Sequence, residues 1–431
     1  MKRKILSFFR VEEAGSTLRT EVVAGLTTFM TMSYIVFANP SILQNAGLPL
    51  APTIGMTAIA AAIPTLLMGL WANYPFALAP GMGLNAFLTF EVCKKMGYSW
   101  QTGMGVIFIE GLIVTIFVLT GAREAVMNAI PISLKRAISV GIGLFIAFIG
   151  LKDAHLVVAS EATFVTFGSI KTKEALLALF GLLFTAYLLA KGIRGAILLG
   201  IVTSTIVAIP LGLAELPKGI VSMPSFETFG RLDILSALKL SLFPVIFAFL
   251  VTDFFDTMGT VIGVGGQGGF LSPDGKLPRL GRVLLVDSLA AMWGAICSAS
   301  SVTTYIESAA GVSAGGRTGL VSLVVAILFL ITAFFSPLLS IVPSVAVAPA
   351  LIIVGFLMMS VVKDIPWDDV EEAFPAFVIL LTIPLTYSIS HGIGYGFIIY
   401  SLVKLLTGKA REVHPLMFFI SLVFIVSFII Y

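Results

Sequence analysis

Charged residues are scarce in this sequence, and that scarcity limits the class of protein. Only 11% of its 431 residues are charged and 58% are hydrophobic, whereas a soluble domain carries about 25% charged residues. So few polar groups cannot cover the apolar surface of a soluble globule, so most of the chain must lie in lipid. The net charge is only +3 and no basic patch is present, which argues against nucleic acid as a partner.

Cysteine is also rare, and the motifs of nucleotide-driven and catalytic proteins are missing. Cys93 and Cys297 lie in apolar stretches without the spacing of metal ligands, so we interpret them as small buried hydrophobic residues. The glycine-rich segment 263–269 lacks the Lys-Ser/Thr pair of a phosphate-binding loop. We therefore expect no enzyme, no catalytic residues, no metal and no cofactor, and any energy-requiring activity would have to draw on an ion gradient rather than on a nucleotide.

Apolar segments of membrane-spanning length fill nearly the whole chain. A membrane helix needs about 20 mostly apolar residues, and fourteen segments meet this description. They lie near 20–44, 52–71, 76–93, 101–121, 135–151, 174–190, 195–213, 240–262, 283–298, 302–315, 317–338, 342–362, 372–388 and 391–407. A further stretch, 415–430, is either a fifteenth span or a helix at the membrane interface.

Lysine and arginine are distributed unevenly over the loops between these segments. Most of the 26 basic residues fall on the side of the N-terminus, and loops rich in these residues face the cytoplasm. The sequence therefore predicts an integral protein of the cytoplasmic membrane whose N-terminus is cytoplasmic.

The second half of the chain weakly repeats the first half. Segment 131–154 resembles segment 343–365, and 69–87 occupies the place that 294–312 occupies later. Each half has seven spans, and because seven is odd, the second half must enter the membrane from the opposite side. An inverted repeat of this kind is a common plan of secondary transporters, so we predict an all-α polytopic membrane protein with a 7+7 inverted repeat.

Two segments at matching places in the halves are poor continuous helices. Pro75 and Pro80 exclude a regular helix through 74–83. Segment 298–304 consists of residues with small side chains, most of which carry a hydroxyl group. We interpret each as a short extended piece followed by a short helix, which is tolerated at membrane depth only inside protein or along a cavity. The two pieces predict a substrate site near the middle of the bilayer; the alternative is a pair of kinks without a ligand.

Acidic side chains inside predicted spans are the strongest functional signal. Asp253 and Asp256 lie in the eighth span at a spacing of three residues, which puts both on one helix face. A carboxylate there costs several kcal/mol unless it is neutral, paired or facing a wet cavity. Two nearby carboxyls can take up and release protons near neutral pH; the alternative is that either one only bonds a neighbouring helix.

Four further polar residues in the spans each allow two interpretations. Glu307 is either an acceptor for adjacent N–H groups of a flat heterocycle or the last residue of a capping box that starts at Thr304. Asn85 suits a ligand edge but also suits a tie between helices. For Glu110 and Asp287 we favour a role in packing or in a proton network over the alternative of contact with the ligand.

Four strings of the sequence resemble the AzgA-like purine permeases of the nucleobase–ascorbate transporter superfamily. They are FVTDFFDTMGT, ALAPGMGLNAF, TTYIESAAGV and TMSYIVFANPSIL, and the resemblance runs from about Leu18 to Leu406. It implies proton-coupled uptake of adenine, guanine or hypoxanthine by alternating access. The alternative is a transporter of another nucleobase, such as uracil or xanthine, or of a small organic anion on the same fold. An inorganic-anion exchanger of this architecture would lack acids in its site, because carboxylates repel anions.

The resemblance also implies a domain division. A core domain would combine 18–121 with 240–338, and a gate domain would combine 131–213 with 342–407, with 413–431 as an extra apolar segment. Members of the superfamily are often dimeric through the gate domain, so a homodimer is a further expectation.

The family's site residues can be carried onto this sequence one by one. They fall on Asp253 as the binding carboxylate, Asp256 as a second acid, Glu307 in the tenth span and Asn85 in the third. We further expect backbone groups near Ala79 and Thr304 to bracket the base. Asp253, Asp256 and Glu307 are the candidates for coupling to protons.

Overall fold

The structure, a computed structural model, describes residues 2–121, 130–217, 219–272 and 277–430. Most of these residues are helical. The helices are α1 Lys2–Phe9, α2 Leu18–Met32, α3 Ile35–Leu43, α4 Leu50–Leu67, α5 Met82–Ala86, α6 Trp100–Thr120, α7 Ile132–Asp153, α8 Lys173–Ala190, α9 Ala196–Ala208, α10 Ile234–Ala237, α11 Phe243–Gln267, α12 Leu280–Ile296, α13 Ser308–Ser313, α14 Gly319–Thr332, α15 Ser336–Leu339, α16 Ser344–Met358, α17 Val370–Thr386, α18 Ile389–Leu406 and α19 Pro415–Ile430.

Within the described residues, nine helical stretches are long and apolar enough to cross a membrane. Many of their side chains are exposed leucines, isoleucines and phenylalanines, as expected where lipid replaces water as the solvent. The prediction of a polytopic helical membrane protein is therefore confirmed, whereas the count of fourteen spans remains a prediction. The extra C-terminal segment, predicted over 413–431, forms α19 and is described as far as residue 430.

Four short strands interrupt the helices, and they form two separate pairs. They are β1 Leu78–Pro80, β2 Val157–Ser160, β3 Phe164–Phe167 and β4 Val302–Thr304. Strands β2 and β3 form an antiparallel hairpin that lies largely exposed between α7 and α8. Strands β1 and β4 pair with each other across more than half the chain, in the two segments that are predicted to be broken helices.

The third and tenth predicted spans are therefore not continuous helices. The third contains β1, α5 and a π-helical stretch from Phe87 to Lys95, and the tenth contains β4 and α13. Both strands are fully buried, so their backbone groups are shielded from lipid and satisfied by pairing. The prediction of two broken helices with short extended pieces is confirmed.

The helices pack in two groups. In one group, α6 packs against α11 and α12, and α14 packs against α2 and α4. In the other, α7 packs against α16 and α17, α8 against α9 and α16, and α17 against α18. Helix α19 packs against α18, where the hydroxyl groups of Ser401 and Ser421 lie 2.9 Å apart. The strand pair β1–β4 lies in the first group.

Candidate functional site

The candidate site is built around the antiparallel pair of β1 and β4. Leu78 faces Thr304, Ala79 faces Thr303 and Pro80 faces Val302. At the two ends of the pair, the Gly81 N–H donates to the Ser301 carbonyl at 2.9 Å and the Tyr305 N–H donates to the Ala77 carbonyl at 2.9 Å. Two segments that are distant in the sequence, one from each half of the repeat, thus satisfy each other's backbone inside the membrane region.

Hydroxyl groups from neighbouring helices hold the first broken segment in place. Thr65 of α4 both donates to the Leu78 carbonyl at 3.0 Å and accepts from its N–H at 2.9 Å. Ser322 of α14 donates to the carbonyls of Tyr74 and Phe76. The prolines prevent this segment from forming helical hydrogen bonds, so these side chains take over that task.

The second broken segment begins with two strained residues. Ser298 and Ser300 have φ angles of 56° and 72°, a left-handed conformation that is uncommon for residues other than glycine. The Asn39 side-chain amide donates to the Ala299 carbonyl at 3.1 Å, between the two serines. A Cβ on Gly294 of α12 would collide with the Ser300 carbonyl oxygen, so this turn can lie against α12 only because residue 294 is glycine.

Asp287 of α12 anchors strand β4. Its Oδ1 atom accepts hydrogen bonds from the Thr304 N–H at 2.9 Å and from the Thr304 hydroxyl at 2.8 Å, and its Oδ2 atom accepts one from Thr257 at 2.5 Å. Thr257 of α11 also lies 2.8 Å from the Thr303 hydroxyl. These bonds fit the interpretation of Asp287 as a packing or network group. They engage both the N–H and the hydroxyl of Thr304.

Glu307 lies at the end of the second broken segment, just before α13. Its side chain is half-buried, and its Oε1 atom accepts a hydrogen bond of 2.6 Å from the hydroxyl of Tyr34. The capping-box alternative requires the Thr304 N–H, which donates to Asp287 instead. The structure therefore does not form that capping box, and the role of Glu307 as a ligand contact stays a prediction.

The two acids of α11 differ in their surroundings. Asp253 is 1% exposed, and its Oδ1 atom lies 3.4 Å from the Ser301 hydroxyl, which donates to it. Asp256, one turn later, has an exposed side chain and interacts electrostatically with Asp287 and Glu307. The structure brings Asp253, Asp256 and Glu307 together around the strand pair, with Asp256 and Glu307 on the accessible side.

Asn85 lies on α5, directly after the first broken segment. It is fully buried, and neither its amide nitrogen nor its amide oxygen has a hydrogen-bond partner among the described residues. A buried amide without partners is costly, so this group calls for a ligand or water. By contrast, the buried Asn39 amide donates to Thr57 and to the Ala299 carbonyl. Asn39 therefore links neighbouring segments through hydrogen bonds, whereas Asn85 forms no such link among the described residues.

Sequence reasoning missed Tyr34 as a neighbour of the site. It lies between α2 and α3, is 1% exposed, and bonds a residue 273 positions away. A tyrosine hydroxyl inside a membrane span needs a partner, and that requirement was the available signal. No group of three or more metal-ligating side chains was found in the described part of the chain.

Sequence comparison links the chain to known permeases. The family model Xan_ur_permease, described as a permease family, matches residues 19–394. A putative permease of Methanocaldococcus jannaschii is 49% identical, covering 98% of this chain and 97% of the relative. The guanine/hypoxanthine permease PbuO of Bacillus subtilis is 43% identical over 98% of this chain and 100% of its own. The adenine permease AdeP of Escherichia coli is 43% identical over 98% of this chain and 95% of its own.

Comparison of the fold gives a consistent result. The transmembrane domain of the cyanobacterial bicarbonate transporter BicA superposes with a TM-score of 0.66 at 14% identity, covering 87% of this chain and 97% of that domain. The murine anion transporter Slc26a9 superposes with a TM-score of 0.66 at 14% identity, covering 91% of this chain and 69% of that chain. These likenesses concern the fold alone and confirm the predicted fold class. The resemblance noted in the sequence is confirmed as well: this chain belongs to the Xan_ur_permease family of membrane permeases and is a transporter, not an enzyme.

Proposed function

We propose that this permease takes up purine nucleobases across the cytoplasmic membrane, coupled to protons, with its N-terminus in the cytoplasm. The observation that carries the proposal is that each of the two broken segments leads into a polar side chain suited to a base: a half-buried carboxylate, Glu307, and a buried amide, Asn85, that has no hydrogen-bond partner among the described residues. The names of the relatives that match nearly the whole chain, guanine/hypoxanthine permease and adenine permease, support purines as the substrate class.

Purine chemistry fits the polar groups of this site. A purine base is a flat ring system that presents both N–H donors and ring-nitrogen acceptors at its edges. Glu307 accepts from ring N–H groups, Asp256 offers a second acceptor, and Asn85 can both donate and accept. Charge-assisted hydrogen bonds of this kind are the stronger class. In this proposal, Ala79 and Thr304 contribute the paired strands that support the base.

The same proposal assigns the two helix groups to moving parts. The group that holds β1 and β4 is the core domain, from 18–121 and 240–338, and the other is the gate domain, from 131–213 and 342–407. Glu91, which follows α5 in the core, accepts a 2.6 Å hydrogen bond from Ser388 and further bonds from Ser390, at the start of α18 in the gate. Alternating access requires contacts like this one to break and re-form. A homodimer would form through the gate domain.

The first experiment is thermal stabilisation of the purified protein by adenine, guanine, hypoxanthine, xanthine, uracil and ascorbate. A ligand that binds only the folded state raises its stability by an amount that grows with the ratio of ligand concentration to Kd. We expect stabilisation by one or more of the first three bases, and no stabilisation of the Glu307→Ala variant by the same bases. Stabilisation by uracil or ascorbate alone would contradict the purine assignment, and stabilisation by xanthine alone would contradict adenine, guanine and hypoxanthine as the substrates.

Proton coupling has a separate test in reconstituted vesicles. An inward proton gradient should drive accumulation of the stabilising base above its external concentration, and a protonophore should abolish that accumulation. Uptake that only equilibrates the base across the membrane would contradict the coupling while leaving the substrate assignment intact.

A further inference from the structure

Glu110 is a buried acid to which the proposed function assigns no role. It lies in the middle of α6 and is fully buried. The next residue is Gly111, where a Cβ would lie 2.8 Å from Met292 Cγ and 3.0 Å from the Met292 backbone nitrogen of α12. The absence of a side chain at Gly111 thus lets α6 and α12 touch, and this close crossing carries Glu110 toward the acids of α11 and α12.

The partner of Glu110 is another carboxyl group. Neither of its carboxylate oxygens receives a hydrogen bond from an N–H or O–H donor among the described residues. Its side chain instead meets that of Asp253 within hydrogen-bonding range, and the charge of Asp287 acts on it as well. Two carboxyl groups can bond each other only when one of them carries a proton, because two carboxylates offer acceptors alone.

The other acid near this pair, Asp287, has a different hydrogen-bonding environment. Its oxygens accept bonds from Thr257 and from the N–H and hydroxyl of Thr304, which stabilises its ionised form. An ionised Asp287 disfavours a second and a third negative charge beside it. The other elements packed against α6 are α10, which holds no titratable residue, and the stretch from Phe87 to Lys95. In that stretch Glu91 is bonded to Ser388 and Ser390, and Lys94 and Lys95 lie in its last turn.

A hydrogen bond links the carboxyl pair to the broken segments. Ser301 donates its hydroxyl to Asp253, while its carbonyl accepts the N–H of Gly81 at 2.9 Å. Ser301 therefore touches both the pair and the junction of β1 with β4. A change in the charge of Asp253 alters the acceptor that Ser301 uses, and this contact can pass the change to the substrate site.

We propose that Glu110 and Asp253 together form the binding site of the coupled proton, separate from the carboxylate that receives the base. In the loaded state one proton is shared between the two carboxyl groups, so that the pair carries a single negative charge. Release of that proton on the other side leaves two carboxylates beside Asp287, a state that favours rapid reprotonation or return of the empty carrier. This inference rests on the proposed proton-coupled function, in which Glu307 receives the base.

Glu110→Gln tests the inference, since it keeps the shape of the side chain and removes its titration. The variant should bind the base with wild-type affinity and exchange internal for external base, but a proton gradient should no longer drive accumulation above equilibrium. Asp253→Asn should lose accumulation in the same way. Glu21→Gln is the matched control, because Glu21 is equally buried but accepts hydrogen bonds from the N–H and the hydroxyl of Thr318 within the same helix group, and it should still accumulate the base.

The outcomes separate this inference from the proposed function. Proton-driven accumulation by wild-type protein and by Glu110→Gln alike would overturn the inference alone. A wild-type protein that shows no proton-driven accumulation would contradict the coupled function and the inference together.

Infrared spectroscopy gives an independent reading that does not need transport. Wild-type protein should show the carbonyl band of a protonated carboxyl group, shifted by deuterium exchange and missing in Glu110→Gln. Absence of that band in the wild-type protein would overturn the shared proton even if the variants failed to fold.

Discussion

The two broken segments occupy equivalent places in the repeat but divide the work of the site unequally. The first, residues 74–83, is apolar and contains proline, and its backbone is held by hydroxyl groups of other helices. The second, residues 298–304, carries hydroxyl groups and leads into the acid Glu307, and these groups bond to Asp253, Asp287 and Tyr34. One segment is a supported backbone, whereas the other belongs to a polar network.

This difference shows how an inverted repeat can keep a symmetrical frame and still bind an asymmetrical ligand. The strand pair needs both halves, because each satisfies the backbone of the other. The side chains are free to differ. The first segment leads into Asn85, an amide without a partner among the described residues, while the second leads into Glu307, a carboxylate oriented by Tyr34. Mutations in equivalent places should therefore have unequal effects.

Glu307→Gln should have the largest effect on binding. The substitution keeps the size of the side chain but removes the charge, and hydrogen bonds to charged groups contribute about 1.5–3 kcal/mol each. We expect the affinity for the preferred purine to fall about 100-fold, measured by isothermal titration calorimetry. The melting temperature without ligand should stay within a few degrees of wild type, and near-normal affinity would rule out Glu307 as the main acceptor.

Glycine-to-alanine substitutions beside the two segments should separate them by stability. At Gly294 the added Cβ would meet the Ser300 carbonyl oxygen, which is backbone and cannot rotate away. At Gly81 it would lie 3.1 Å from the side-chain methyl group of Thr303, a milder contact that a shift of a few tenths of an ångström relieves. Overpacking of a core costs about 1–3 kcal/mol, so Gly294→Ala should melt clearly below wild type and Gly81→Ala close to it. Equal melting temperatures would contradict the close packing of the second segment against α12.

The sequence predicted those features of the site that arise from local pattern. Prolines at 75 and 80 and the hydroxyl run at 298–304 mark both broken segments, and a spacing of three residues places Asp253 and Asp256 on one helix face. Local pattern does not predict pairing between distant segments. The register of β1 with β4, the bond from Tyr34 to Glu307 and the anchoring of Thr304 by Asp287 all join residues that only tertiary packing brings together.

The two buried asparagines illustrate the same limit. Asn39 and Asn85 both lie in apolar surroundings in the sequence, where each could be a ligand contact or a tie between helices. Only the structure shows that Asn39 bonds Thr57 and Ala299, whereas Asn85 has no partner among the described residues. The exposed hairpin at 157–167 was not predicted either, because its residues read as a loop between spans.

Substitution of Asn39 and of Asn85 gives a third test of the difference between the two broken segments. Asn85→Ala should lower the affinity for the base about tenfold, since a neutral hydrogen bond contributes about 1 kcal/mol, and should leave the melting temperature of the free protein unchanged or slightly raised. Asn39→Ala should lower the melting temperature instead, because it leaves the Ala299 carbonyl unpaired. Titration calorimetry and thermal melts of both variants would check this, and a reversed pattern would exchange the two roles.

Tyr34→Phe should have the smallest effect, and its sign is informative. The hydroxyl of Tyr34 occupies Oε1 of Glu307 and leaves Oε2 for the ligand. If the base bonds through one oxygen, removal of the hydroxyl loosens the carboxylate, and the affinity falls about threefold to tenfold, in line with about 1 kcal/mol for such a bond. If the base uses both oxygens, Tyr34 competes with it, and the variant binds equally well or better. Because the bond is present in the free protein, we expect the fall, and competition binding with guanine and adenine would detect the opposite outcome.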